Sequence, residues 1–364
     1  MQYHDNKEKI SKISIRPDTR ILQALKIMDE LQVKLLLLIE GDIFKGLLSI
    51  GDIQRAIIKN VSLEDRVDTI LRTGILYADE RTPFESIRRE MLQHRIECMP
   101  VVNDRHQLAT VYFWDDIFGE EQVRVEANLQ LPVVIMAGGK GTRLRPLTNI
   151  LPKPLIPIGD KTILEHILDN FTAMGCANFL MSVNYKADMI MHYFETLNNP
   201  AYHIEYFREE HFLGTAGSLY LLKGKLSGTF FVSNCDIIIQ TDYAEIYEYH
   251  KEQQNDITIV GVVKHYPIPY GVLETEENGR LTSIQEKPEY TFKINSGMYI
   301  LESSTLDMIP EGTHYHITEL IDDIRKKGGK VGVFPVNEGA WMDIGEWNEY
   351  NKTAKKLGAA SIDI

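Results

Sequence analysis

The sequence is poor in cysteine and has no long apolar run, and both shortages narrow the class of protein. Its 364 residues include only Cys98, Cys176 and Cys235, whose wide spacing argues against a disulfide framework and against a zinc site. The longest strongly apolar run, Leu35–Ile39, is far shorter than the roughly 20 residues of a membrane-spanning helix. The polar start MQYHDNKEKI lacks the apolar region of a signal peptide. We therefore expect a cytoplasmic protein that does not bind membranes.

Positive charge is also scarce. The chain has 39 Lys and Arg residues against 52 Asp and Glu residues, which gives a formal net charge of −13. An acidic chain is a poor partner for nucleic acid, so we exclude that class. The 44% hydrophobic and 25% charged content is ordinary for a globular protein, and the length suggests two or three domains.

Glycine is concentrated in one place, within the run VVIMAGGKGTRLRPLTNILPKPLIP at residues 133–157. The apolar stretch Val133–Met136 predicts a buried strand that stops at AGGKG, residues 137–141. Glycines there allow a ligand close to the backbone, and their N–H groups can converge on phosphate oxygens. Two arginines and a lysine follow, at positions 143, 145 and 153, and this combination indicates a triphosphate site.

Two better-known glycine motifs do not fit this run. No stretch supplies the G-x-x-x-x-G-K-[ST] of a Walker phosphate loop. Gly139-x-Gly141 is followed by TRLRP and not by the third glycine of a dinucleotide-binding fingerprint. Instead, AGGKGTRLRPLT…PKPLIPI resembles the signature of the sugar-1-phosphate nucleotidyltransferases, the enzymes that make nucleotide sugars.

The resemblance implies a nucleotide site built mainly from the glycine loop. Arg143 resembles the essential arginine of that family, which stabilises charge at the α- and β-phosphates, and Lys153 resembles a second phosphate contact. Arg145 has weaker support. The implied nucleotide-binding residues are Ala137, Gly138, Gly139, Gly141, Thr142, Arg143, Glu209 and Gly214.

Two aspartates follow predicted strands and match the places where the family binds its metal. Asp236 comes just after the apolar run Phe230–Val232, and Asp343 lies in AWMDIG near the end of the chain. Mg²⁺ prefers oxygen ligands, usually one or two carboxylates together with substrate phosphates and water. The resemblance therefore implies Mg²⁺ as the cofactor, with Asp236 and Asp343 as its protein ligands and as catalytic residues beside Arg143 and Lys153.

The sugar phosphate has its own predicted contacts. EKP at residues 286–288 resembles a family motif in which the lysine holds the sugar phosphate and the glutamate accepts hydrogen bonds from sugar hydroxyls. An ammonium suits a phosphate and a carboxylate suits hydroxyls, so the residue types agree with those roles. The implied residues are Gly271, Glu286, the catalytic Lys287, Asn295 and Gly297.

The base is predicted from EEHFLGTAGS at residues 209–218. Its Leu-Gly-Thr-Ala-Gly is typical of guanylyltransferases, whereas thymidylyl- and uridylyltransferases tend to carry Gln where this chain has Glu209. Guanine presents two adjacent donors, which a carboxylate can accept together, while uracil and thymine suit an amide better. We expect GTP, with a hexose- or hexosamine-1-phosphate (mannose- or glucosamine-1-phosphate) as co-substrate. A thymidylyl- or uridylyltransferase of the same fold is the alternative.

The first 120 residues contain an internal repeat, at about 14–60 and 68–119, and each copy predicts helix, strand, turn, strand, helix. The pair resembles tandem CBS domains of α+β type, which implies an adenine or guanine nucleotide near Ser49, Asp52 and Asp116. The second copy has Phe113 where the family's hydroxyl would stand, so its nucleotide site departs from the pattern. The resemblance also implies a homodimer or a larger assembly. The alternative is that the pair is only a packing or dimerisation unit.

Residues 121–130 are polar and without apolar period, which predicts a linker. From 131 to 364, apolar strand-like runs alternate with helical patterns, which predicts a Rossmann-like, doubly wound α/β domain with a mixed sheet. Ligands of such sheets bind at the carboxyl ends of the strands, where the glycine loop begins. A protein of another class, a nucleotide sensor without catalysis, is the second alternative; against it, all five catalytic candidates are present.

Overall fold

A computed structural model describes residues 6–94, 96–118 and 128–358. The chain divides into two units, Met1–Val125 and Glu126–Ile364. The predicted linker, 121–130, lies for the most part outside the described residues. At its end, the Leu129 N–H donates to the carbonyl of Met174, so this residue is bonded to the second unit.

In each half of the N-terminal unit, a two-residue strand is followed by the order helix, strand, strand, helix that the repeat predicts. The first half comprises α1 (Lys7–Lys12), β1 (Ser14–Ile15), α2 (Ile21–Leu31), β2 (Leu35–Glu40), β3 (Ile43–Ser49) and α3 (Ile50–Ile58). The second half comprises β4 (Ala78–Asp79), α4 (Phe84–His94), β5 (Cys98–Val102), β6 (Leu108–Phe113) and α5 (Trp114–Phe118). The strands form two three-stranded sheets, β1-β2-β3 and β4-β5-β6.

The apolar period of the repeat explains the core of this unit. In the first copy α2 buries Ile21, Leu25 and Met28, which share one helix face, and the central leucines of β2 are fully buried. The two copies meet through backbone pairing: the Phe44 N–H donates to the carbonyl of His106 at 3.0 Å.

The C-terminal unit alternates strands and helices. Its strands are β7 (Val133–Met136), β8 (Pro157–Ile158), β9 (Lys161–Thr162), β10 (Asn178–Val183), β11 (His203–Arg208), β12 (Thr229–Asn234), β13 (Ile237–Ile239), β14 (Ile257–Pro267), β15 (Val272–Thr275), β16 (Leu281–Gln285), β17 (Glu289–Glu302), β18 (Val331–Asn337) and β19 (Trp341–Asp343). Its helices are α6 (Ile163–Thr172), α7 (Ala187–Leu197), α8 (Gly214–Gly217), α9 (Tyr243–Gln253), α10 (Ile317–Lys326) and α11 (Trp347–Lys356).

A seven-stranded sheet with the order β11-β10-β7-β12-β17-β14-β18 organises this unit. Strands β11, β10, β7 and β12 run parallel, β17 is antiparallel to both its neighbours, and β18 runs parallel to β14. The mixed α/β sheet is therefore confirmed. Met136 pairs with Ser182 on one side and with Asn234 on the other, so β7, β10 and β12 end at the same edge.

Both faces of the large sheet are covered, which explains why its strands read as continuous apolar runs. Phe230 on β12 is fully buried in a cluster with Leu320 of α10. Its neighbour Phe231 points to the opposite face, where it packs against Phe171 of α6 and Tyr243 of α9 with ring centroids 5.4 and 5.9 Å away.

Cys98, Cys176 and Cys235 are all buried and free. No helix in the described parts of the chain is long and apolar enough to span a bilayer.

The buried His250 is expected to make the stability of the C-terminal unit fall at acid pH. His250 is 1% exposed, and its ring nitrogens lie 2.9 Å from Thr258 Oγ1 and 3.2 Å from Glu302 Oε1. Burial lowers the pKa of His250 below its usual 6.5, although Glu302 opposes the shift. The unfolded chain therefore takes up a proton below about pH 6.5 that the folded chain does not, and stability falls as pH drops from there through the lowered pKa.

We expect H250Q to flatten the dependence of the melting temperature on pH between about 7 and 5, because Gln cannot take up that proton. H192Q, which changes an exposed position on α7, is the matched control and is expected to keep the wild-type dependence. Equal pH dependence in all three proteins would contradict the role given to His250.

Candidate active site

The glycine loop leaves the end of β7 and is anchored on both sides. The Ala137 N–H donates to the carbonyl of Ser182 at 3.0 Å. A Cβ on Gly141 would lie 3.0 Å from the Lys153 Cβ, so only a residue without a side chain lets these segments approach. A Cβ on Gly139, by contrast, would meet nothing described within 4 Å, which leaves that part of the loop open to a ligand.

Lys153 reaches the carboxyl edge of the sheet from a short 3-10 turn, Lys153–Leu155. It is 7% exposed, and its Nζ donates to Oδ2 of Asp236. Asp236 follows β12, the strand beside β7, as the sequence predicts. The buried Lys153 ammonium is therefore paired with the Asp236 carboxylate. The pair lies beside the glycine loop, which is expected to hold a triphosphate.

Asp343 is brought to Asp236 by the small sheet β13-β19. It pairs with Ile237 in that sheet, and the Ile344 N–H donates to the Asp236 carbonyl at 2.8 Å. Burial and the neighbouring Asp236 carboxylate raise the pKa of Asp343, and the Gly345 N–H, at 2.7 Å from Asp343 Oδ1, partly opposes this. A buried carboxyl whose ionisation is opposed by a neighbouring carboxylate favours positive charge nearby.

These two carboxylates fit the ligand set that Mg²⁺ uses when substrate phosphates complete its shell. In residues 6–94, 96–118 and 128–358, no group of three or more His, Cys, Asp or Glu side chains is placed to hold a metal ion by itself. A metal at Asp236 and Asp343 would therefore depend on oxygens from substrate and water, as Mg²⁺ sites commonly do.

Arg143 stands at the outer side of this site on the 3-10 turn Thr142–Leu144. Its side chain is 62% exposed, and its Nη1 lies 3.3 Å from Oε1 of Glu346. Its charge is close enough to Asp343 to oppose, in part, the rise that burial and Asp236 cause in the pKa of that carboxyl. The structure thus brings together Arg143, Lys153 and both aspartates at one edge.

Glu209, the predicted base-reading residue, is 6% exposed and is held by the protein. The Ser182 hydroxyl donates to Oε1, and the Leu213 N–H donates to Oε2 at 3.2 Å. A Cβ on Gly138 would lie 3.0 Å from Oε1, so the carboxylate borders the glycine loop. The side-chain amide of Asn184 donates to the backbone carbonyl of Glu209 at 2.9 Å and so fixes the backbone there.

Sequence reasoning missed Ser182 and Asn184 as supports of Glu209. A signal was present, because both residues end the apolar run FLMSVN, and the strand beside the glycine loop must deliver its last side chains to the same edge.

The Leu-Gly-Thr-Ala-Gly segment owes its glycines to packing. Gly214 has φ +81°, and a Cβ there would lie 2.7 Å from the carbonyl oxygen of Tyr315. The N–H groups of Ala216 and Gly217 donate to that same oxygen. Thr215 Oγ1 accepts from the Ile317 N–H at 3.0 Å, so the segment is fastened to the start of α10.

The predicted sugar-phosphate residues lie in two segments of the C-terminal unit. Glu286 and Lys287 are exposed just after the β15-β16 hairpin, and a Cβ on Gly271 would lie 3.2 Å from Glu286 Oε2. Gly297, on β17, lies against the amide of Asn234 at the end of β12. Asn295 Oδ1 accepts from the Gly297 N–H at 3.0 Å, which places it near the carboxyl edge.

In the N-terminal unit, the Ser49 and Asp52 pair forms the capping box of α3. The Ser49 hydroxyl accepts from the Asp52 N–H, and the Asp52 carboxylate accepts from the Ser49 N–H at 2.8 Å. Asp52 also pairs with Arg55 and with Arg72, the latter at 2.9 Å, and its side chain is fully buried. Its carboxylate oxygens are thus already used by the protein.

A cavity of about 590 Å³ opens between the segment that begins α1 and the second copy. Its polar lining includes Lys7, Glu80, Thr82, Thr110 and Tyr112. Asp116, the nucleotide contact predicted for this copy, is not among the residues that line the cavity. Its carboxylate accepts a hydrogen bond at 3.0 Å from the side-chain amide of Asn6, which lines the cavity. A volume of this size is typical of small-molecule sites.

The sheet, the glycine loop and the paired aspartates define a protein that handles nucleotides at the carboxyl edge of a mixed sheet. A family model described as Nucleotidyl transferase matches residues 132–359, which is more than half of the chain. The chain belongs to the nucleotidyl transferase family.

Named relatives refine this placement. The chain is 32% identical over 235 residues to the mannose-1-phosphate guanylyltransferase of Mycobacterium tuberculosis, covering 64% of this chain and 66% of that protein. It is 35% identical over 231 residues to the mannose-1-phosphate guanyltransferase of Aspergillus oryzae, covering 60% and 62%. The chain thus spans a little under two thirds of the length of the curated relatives it matches.

Solved structures agree on the fold. HddC from Yersinia pseudotuberculosis, complexed with GMP-PN, superposes with a TM-score of 0.50 at 28% identity, covering 62% of this chain and 99% of that chain. A putative glucose-1-phosphate thymidylyltransferase from Bacillus anthracis superposes with a TM-score of 0.51 at 21% identity, covering 64% and 97%.

Proposed function

We propose that this chain joins GTP to a sugar 1-phosphate, with release of pyrophosphate, to make a GDP-sugar. The observation that carries the proposal is the convergence of the glycine loop, Arg143, Lys153, Asp236 and Asp343 at one edge of the sheet. The named relatives support guanine as the base and mannose 1-phosphate as the first sugar to test. Glucosamine 1-phosphate, the other sugar expected from the sequence, is the second.

In the proposed reaction, a phosphate oxygen of the sugar 1-phosphate attacks the α-phosphorus of GTP. A new phosphorus–oxygen bond forms while the bond from the α-phosphorus to its bridging oxygen breaks, and pyrophosphate leaves with that electron pair. Both reactants are anions, so the protein must offset their repulsion and the charge that develops. The loop N–H groups, Arg143 and Lys153 do this on the nucleotide side, and Lys287 holds the phosphate of the sugar.

We further propose that Asp236 and Asp343 hold Mg²⁺ when the nucleotide binds. The ion would neutralise charge on the triphosphate, while Lys153 keeps the Asp236 carboxylate oriented through its hydrogen bond. The raised pKa of Asp343 supports this assignment, because a bound cation would offset the cost of ionising that carboxyl.

We propose that Glu209, beside the glycine loop, selects the base of the nucleotide. We expect E209Q to lower the preference for GTP over UTP, measured as the ratio of the two kcat/KM values, by about 10-fold. Each Glu209 oxygen accepts one hydrogen bond from the protein and keeps further acceptor capacity, so the carboxylate still presents two acceptors. In the Gln variant the Leu213 N–H can donate to the oxygen only, so the amide NH₂ must face Ser182 and one of the two acceptors that suit guanine is lost. E210Q, at the exposed neighbour, is the control. An unchanged ratio in E209Q would remove Glu209 from base selection.

The proposal as a whole is tested by pyrophosphate release from GTP, ATP, UTP and dTTP, each with mannose, glucosamine or glucose 1-phosphate and Mg²⁺. GTP with mannose 1-phosphate is expected to react fastest. Faster reaction with UTP or dTTP would favour the alternative base. Release from no pair would favour a nucleotide sensor without catalysis.

For the N-terminal unit we propose a regulatory nucleotide in the cavity of the second copy. The cavity offers hydroxyls at Thr82 and Thr110, whereas the Asp52 carboxylate is occupied by two arginines. Calorimetric titration of AMP into the whole chain is expected to release heat that T110V abolishes and S49A preserves. If S49A alone abolished the heat of AMP binding, the nucleotide would bind at the first copy instead.

A further inference from the structure

The segment after Asp343 contacts the signature arginine directly. Glu346 occupies the N-cap position of α11 but its side chain makes no capping hydrogen bond; its Oε1 lies instead 3.3 Å from Nη1 of Arg143. The chain passes so close that a Cβ on Gly345 would lie 3.2 Å from Nη2 of the same guanidinium. Both side chains of the pair are 62% exposed, so the contact contributes little to the stability of the fold.

Trp347, the first residue of α11, binds the backbone two residues beyond Arg143. Trp347 Nε1 donates to the carbonyl of Arg145 at 3.1 Å. The indole packs edge-on against Tyr350, with centroids 5.8 Å apart. Tyr350 is 3% exposed, and its hydroxyl donates to the carbonyl of Pro157 at 2.6 Å. One turn of α11 therefore touches the segment 143–157 at both ends.

We propose that Glu346 and Trp347 are positioning residues for Arg143, an inference that rests on the proposed function. Arginine offers its N–H donors in a rigid planar fork, so an acceptor at Nη1 fixes the plane in which the other nitrogens point. An exposed arginine without that contact must be ordered when the triphosphate binds, and that ordering opposes the reaction. Trp347 completes the arrangement, because it fixes the main chain two residues further along.

The test is a double-mutant cycle between positions 346 and 143. E346A is expected to lower kcat about 10-fold, to leave the KM for the sugar 1-phosphate within about twofold, and to leave the melting temperature unchanged. E346Q keeps an acceptor for Nη1 and is expected to recover most of the loss. In an R143K background, E346A is expected to cost less than about twofold, because the fork it orients is absent.

E349Q is the matched control, since Glu349 lies on the same helix and pairs with Lys352 at 2.7 Å, away from the arginine. It is expected to retain wild-type kinetics. W347F keeps an aromatic ring but loses the donor to Arg145, and kcat is expected to fall about threefold or more without a change in melting temperature.

Independent, multiplying losses from E346A and R143K would overturn the inference, and so would wild-type kcat in E346A. Loss of activity that follows a lower melting temperature in both E346A and W347F would also overturn it, because it would reduce α11 to a structural support. A wild-type chain that releases no pyrophosphate would contradict the proposed function instead, so the two failures are distinguishable.

Discussion

The variant D236N is expected to lower kcat for nucleotidyl transfer by about 10²- to 10³-fold at saturating substrate. Asn has the shape of Asp but no charge, so it weakens the hold on a cation and removes the partner of the buried Lys153 ammonium. The same change at Asp343 is expected to act in the same direction, because both carboxylates face one site. Rates measured over a series of Mg²⁺ concentrations check the result.

D242N is the control for this variant. Asp242 caps the start of α9 through the Ala244 N–H at 2.8 Å, and Asn caps helices as well as Asp does. The control is expected to keep wild-type rates. Equal turnover in D236N and D242N at every Mg²⁺ concentration would show that Asp236 does not bind the metal.

The second large effect concerns the fold around the site. G214A is expected to destabilise the C-terminal unit by about 2–4 kcal/mol, as measured by denaturant unfolding. Alanine would have to adopt φ +81° and would place its Cβ 2.7 Å from the carbonyl oxygen of Tyr315. That oxygen also accepts two N–H groups of α8, so it cannot move without loss of those hydrogen bonds.

G224A separates the two causes. Gly224 has φ +79°, yet a Cβ there would meet nothing described within 4 Å. The substitution should therefore show only the backbone cost, about 1 kcal/mol. If G214A cost no more than G224A, the close packing of α8 against Tyr315 would not be what requires glycine at position 214.

The strand pattern of the C-terminal unit is readable from the sequence because a strand buried on both faces of a sheet is apolar along its whole length. The runs VVIMA, FLMSVN and FFVSN fall on β7, β10 and β12, and a loop that follows such a run must lie at the carboxyl edge. This places Asp236 beside the glycine loop without any knowledge of contacts. The insertion of β17, antiparallel, between β12 and β14 has no comparable signal, since pairing order depends on contacts distant in sequence.

Contacts between distant side chains mark the limit of that reasoning. Glu346 meets Arg143 across 203 positions, and no local period connects them. A motif can also have two physical meanings: Ser-x-x-Asp at 49–52 suggests a nucleotide contact by resemblance, yet it is equally the pattern of a helix capping box. In the structure both residues cap α3, and their contact with a nucleotide stays a prediction.

The most direct test of nucleotidyl transfer is the fate of labelled phosphate. Wild-type protein with Mg²⁺ and mannose 1-phosphate is supplied with GTP labelled at either the α- or the γ-phosphate, and the products are separated. We predict that the α-label appears in a GDP-sugar and the γ-label in pyrophosphate. A γ-label in a sugar phosphate or in free phosphate would mean transfer of the terminal phosphoryl group instead, and would contradict the account.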